Sequence, residues 1–96
     1  MYNQELFEEK VVKKLANEFV MQAITAGVPN EIVKNIEVFF KTRFVRYCIL
    51  LAHSSGGDGT EGIPCLDFRK KWTDEELFAD AGFTDEEIAE VYRIML

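Results

Sequence analysis

The sequence is poor in the residues from which small active sites are usually made. It holds one histidine, His53, and two cysteines, Cys48 and Cys65, in 96 residues. The thiols stand in dissimilar contexts, with no Cys-x-x-Cys and no Cys/His spacing, and a zinc site needs more ligands than the chain groups together. One cysteine in a helical stretch and one in an extended stretch fit reduced, partly buried thiols better than a disulfide framework. No apolar run approaches the ~20 residues that cross a bilayer. The start "MYNQELFEEK" has neither the basic residues nor the apolar run of a signal peptide. A cytoplasmic protein with no membrane contact is expected. An Asp-x-Asp-x-Asp-Gly loop with a distal Glu is missing, and so is Gly-x-x-x-x-Gly-Lys-Ser/Thr, which removes the calcium hand and the phosphate cradle. The expectation is therefore no metal, no cofactor and no enzymatic activity.

What is present is a chain rich enough in apolar residues to fold: 48% hydrophobic, with eight Phe, three Tyr and one Trp. Ninety-six residues make one domain with one modest core. The net charge of -6 is strongly segregated. Residues 1–33 carry -2, residues 34–71 carry +3, and residues 72–96 carry -7. The acidic end disfavours nonspecific nucleic-acid binding, since phosphate is repelled within a Debye length.

The periodicity predicts an all-α fold. Leu6, Phe7, Val11, Val12, Leu15, Phe19, Val20, Ala23 and Ile24 recur at three- and four-residue spacing, an amphipathic helix that Gly27 ends. Asn30 is the expected N-cap of a second helix running from about Glu31 to His53, with Ile32, Ile36, Phe39, Phe40, Phe44, Tyr47, Cys48 and Leu51 on a broad face. A connection this short folds the two into an antiparallel hairpin over residues 1–53. Residues 54–62, "SSGGDGTEG", read as a flexible linker, and "IPCLDF" as an extended segment lying across the helices. Residues 63–96 then end in two short helices, each opened by Thr-x-x-Glu: Thr73 with Glu76, and Thr84 with Glu87. These are capping boxes, in which the Thr hydroxyl accepts from the third helical N–H and the Glu reaches back to the cap N–H. Trp72 and Phe83 precede the caps as apolar staples, and Gly82 stands where a left-handed helix end wants glycine. Capping thus accounts for the repeated carboxylates without invoking a metal or acid–base site.

Two groups of side chains remain as candidate sites. Lys41, Arg43 and Arg46, together with Arg69, Lys70 and Lys71, are expected to form a basic face interleaved with Phe44 and Tyr47, suited to a phosphate or an acidic partner; Lys34 lies two turns before Lys41. The competing reading is a solvated face neutralised by the chain's own acidic helices. His53 with Ser54 and Ser55 is the weaker group, because a glycine loop supplies neither a held nucleophile nor an orienting acid.

The stretch "VFFKTRFVRYCILLAH" followed by "IPCLDFRKKWTDEELFADAGFTDEEIAEVYRIM" resembles the C-terminal end of adenine-specific DNA methyltransferases and fused restriction enzymes of restriction–modification systems. The matching positions are Lys41, Thr42, Arg43, Phe44, Ile63, Pro64, Asp67, Phe68, Trp72 to Leu77 and Thr84 to Ile88, within residues 36–96. In that family this tail follows the target-recognition region and is not catalytic. The methyl-transfer motif Asn/Asp-Pro-Pro-Tyr/Phe and the cofactor-binding glycines are missing, so the resemblance implies neither methylation nor cleavage. It implies a small free-standing protein of phage–host conflict that binds a protein partner, as an inhibitor with an acidic, DNA-like face. The alternative is an oligomer that binds nucleotide or nucleic-acid phosphate through its basic helix face. Phe39, Phe40 and Phe44 cannot share one side of a single helix, and the leftover apolar surface points to a homo-oligomer, a dimer first.

Overall fold

The computed structural model describes residues 4–57, 59–64 and 66–95, and these are helical and turn structure with no strand. Helix α1 spans residues 4–25 and is built of an α-helical start, Gln4–Phe7, a π-helical turn, Glu8–Val12, and a longer α-helical part, Lys13–Thr25. The Lys13 N–H donates to the Glu8 carbonyl across the widened turn. A five-residue step from Phe7 to Val12 keeps both side chains buried there, where an ordinary turn would favour steps of three or four.

The expected second helix is two helices. Helix α2 is Asn30–Lys41 and helix α3 is Arg43–Ser54, with Thr42 extended between them at φ -69° and ψ 151°. The Thr42 hydroxyl donates to the Phe39 carbonyl at 2.6 Å and accepts from the Val45 N–H at 3.3 Å, so it closes one helix and caps the next. A second cap comes from far along the chain: the Phe44 N–H donates to Asp74 Oδ1 at 2.9 Å. The N-cap of α2 is Pro29, one residue before the expected Asn30.

That single extended residue resets the helical phase, and it changes the outcome for the aromatic side chains. Phe39, Phe40 and Phe44 are 0%, 3% and 5% exposed, all within one chain. Phe40 meets Phe19 of α1 at 5.4 Å, Phe39 meets Phe68 of the crossing segment at 5.0 Å, and Phe44 meets Phe83 at 5.3 Å. The aromatic surplus that would have called for a second chain is therefore covered internally. Leu6, Met21, Ile24, Leu51 and Tyr92 are the large apolar side chains left exposed among the described residues.

The glycine-rich stretch divides into two parts. Gly56 has open space around it, but the 3-10 turn Thr60–Gly62 packs against α3. A Cβ at Gly62 would lie 2.2 Å from the Cys48 carbonyl oxygen, and one at Gly59, where φ is +98°, would lie 2.9 Å from Ile49 Cγ2. Bare backbone is needed here for close approach, so the expectation of a uniformly mobile linker is corrected for residues 59–62. Asp58 lies outside the described residues.

Helices α4, Asp74–Ala81, and α5, Asp85–Ile94, pack on α3. Both open with closed capping boxes: Glu76 N–H donates to Thr73 Oγ1 at 3.3 Å and Thr73 N–H to Glu76 Oε1 at 3.1 Å, with 3.2 Å and 2.9 Å for the Thr84–Glu87 pair. Between the helices Gly82 is left-handed at φ +72°, and the Phe83 N–H returns to the Phe78 carbonyl while the two rings meet at 5.6 Å. This is the Schellman arrangement with its apolar contact.

Candidate functional site

The basic residues of the middle segment do not form one face. Arg46 is mostly buried, with its side chain 14% exposed, and it pairs with Glu8 of the π-helical turn while its Nε donates to the Thr42 carbonyl at 3.1 Å. Arg43 donates from Nε to the Met95 carbonyl at 3.0 Å, stands 3.7 Å from the Asp74 carboxylate and lies over the Tyr92 ring at 5.0 Å. Both arginines therefore tie α3 to other elements. Arg46 holds α1, and Arg43 holds the ends of α4 and α5.

Farther along the chain Arg69 forms a two-pronged pair with Asp67, which holds the Asp67 carboxyl down to about 2. Lys70 pairs with Glu76 and lies over the Trp72 ring at 4.6 Å; the hydrogen bond from Lys70 holds the Glu76 carboxyl below its ordinary range. Tyr47 is half-buried against the core. The remaining bases, Lys34, Lys41 and Lys71, are exposed and make no ion pair among the described residues. These three line one open depression of about 500 Å³ beside α2, together with Glu31, Asn35, Glu37 and Val38.

His53 is exposed, with its ring 6.4 Å from that of Phe7. Ser55 Oγ donates to the Leu51 carbonyl at 3.0 Å, and among the described residues no hydrogen bond joins His53 to Ser54 or Ser55. Cys48 is a half-buried free thiol whose burial pushes it up to about 11, which makes it a poor nucleophile near neutral pH. Cys65 lies outside the described residues. Among the described residues no group of three or more His, Cys, Asp or Glu side chains is placed to hold a metal ion, and no helix is long and apolar enough to cross a membrane.

One concavity was not visible in the sequence. It is a groove of about 630 Å³ between α1 and α2, with Arg46 and Glu8 among the residues that line it. Val12, Ala16, Val20 and Phe40 form an apolar floor; Glu5, Glu9 and Lys13 stand along one rim and Glu37 and Lys41 along the other. The π-helical turn contributes Glu8, Glu9 and Val12 to it. No family model, curated protein or solved structure matches the chain.

Proposed function

We infer that the chain is a non-enzymatic protein-interaction module of restriction–modification or phage–host conflict, and that it holds a protein partner in the groove between α1 and α2. The observation that carries this reading is the groove itself, whose apolar floor and charged rims suit an amphipathic helix laid between two others. Glu75, Asp80, Asp85 and Glu86 add an exposed acidic surface on α4 and α5 that makes no ion pair among the described residues. Such a surface repels DNA and attracts a DNA-binding partner, which suits an inhibitor. The link to restriction–modification rests on the order of segments from Lys41 to Ile88. The test is displacement of labelled duplex from an adenine-specific DNA methyltransferase of the native host, followed by fluorescence anisotropy. Salt-sensitive displacement is expected, and Ala16→Arg, which fills the groove, should abolish it. Failure to displace the duplex at low salt, or undiminished displacement by the variant, contradicts the reading.

A further inference from the structure

We propose that the depression between Lys34, Lys41 and Lys71 binds the phosphate groups of a polyanion, either the polyphosphate of a free nucleotide or the backbone of a nucleic-acid strand. Residues 34–71 contain seven bases. Four of them, Arg43, Arg46, Arg69 and Lys70, are neutralised by carboxylates of the chain. The other three come together, although Lys71 lies thirty positions beyond Lys41. The crossing segment brings it there: Asn35 Nδ2 donates to the Phe68 carbonyl at 2.9 Å, and the Phe68 ring packs on Phe39.

Lys34 and Lys41 are two turns apart, about 10 Å along the axis, so the pair spans more than one phosphate. Ammonium groups on flexible stems act as point charges toward phosphate and need no planar fork. Glu31 and Glu37 stand among the lysines and oppose the ligand, so the site works at low ionic strength and through all three cations together. This inference does not rest on the partner proposed for the groove, although Lys41 and Glu37 form the ridge between the two.

The experiment titrates the full chain into fluorescein-labelled single-stranded and duplex oligonucleotides, with ATP and inorganic triphosphate as competitors. Saturable binding is expected, weakening about 20- to 40-fold between about 50 and about 200 mM salt, as three phosphate contacts require. Lys34→Gln/Lys41→Gln/Lys71→Gln should weaken it by more than about tenfold, Glu37→Gln should tighten it, and Arg69→Gln/Lys70→Gln should leave it unchanged. Competition by ATP would assign the site to free nucleotides, and its absence to a strand. Circular dichroism melts establish that each variant is folded. The proposal is overturned if no probe binds saturably at low salt, if the triple variant binds as the parent does, or if Arg69→Gln/Lys70→Gln loses as much.

Discussion

Within one basic segment the arginines and the lysines are used differently. Arg43 and Arg46 stand at the start of α3, where Arg43 reaches Asp74 and the distant Met95 carbonyl, and Arg46 reaches Glu8 of α1 and the Thr42 carbonyl one turn back. Lys34, Lys41 and Lys71 stand around a depression open to solvent and form no ion pair among the described residues. The guanidinium suits the first place because its planar fork offers several donors in fixed directions and is weakly hydrated; the ammonium suits the second. Positive charge counted along a sequence therefore says little about binding until it is known which cations the fold has already neutralised.

The largest expected loss follows Arg46→Ala, which leaves Glu8 without its cationic partner and takes from the Thr42 carbonyl its side-chain donor, leaving only the residue 46 N–H at 3.4 Å. Breaking a fully buried pair costs about 3–5 kcal/mol, and the partial exposure of Glu8 brings the expectation to about 2–3 kcal/mol. Arg46→Lys keeps the charge without the fork and should recover less than half of it. Asp74→Ala comes next at about 1–2 kcal/mol, since it removes both the distant cap of the Phe44 N–H and the carboxylate beside Arg43. Thr73→Ala and Thr84→Ala, at solvent-exposed caps, should each cost about 1 kcal/mol. Urea unfolding followed by circular dichroism measures all of these.

The last effect is confined to alkaline pH and vanishes near neutrality. Burial raises the Cys48 thiol from 9.0 to about 11 in the fold, so the folded chain holds its proton where the unfolded chain releases it. The associated stability is fully present below pH 9 and is lost as pH rises through 11. Replacing Cys48 with Ala should flatten that part of the stability profile. An unchanged slope in the variant would show that the thiol is not the group responsible.

The C-terminal helix pair was legible because its signals are local: Thr73, Glu76, Thr84, Glu87 and Gly82 lie within a few residues of the groups they satisfy. The break at Thr42 was not. No glycine or proline marks it, and its N3 position holds Val45, not the Glu or Gln of a capping box; its other cap, Asp74, lies thirty residues beyond Phe44. Asp74 reads locally as one of the repeated carboxylates at a helix start, and its bond to the Phe44 N–H appears only when α4 lies against α3. The packing of Gly59 and Gly62 on α3 is similarly nonlocal, and composition alone reads as a linker. Among the candidate binding residues, sequence grouped Lys41 and Lys71 with Arg43, Arg46, Arg69 and Lys70, because intramolecular neutralisation between distant segments leaves no local mark.

The division between neutralised arginines and free lysines is tested most directly by one urea series on two variants, Arg43→Gln/Arg46→Gln and Lys34→Gln/Lys41→Gln/Lys71→Gln. The arginine variant is predicted to lose about 3 kcal/mol, while the lysine variant stays within about 0.5 kcal/mol of the parent. Equal losses, or a greater loss in the lysine variant, would contradict the account.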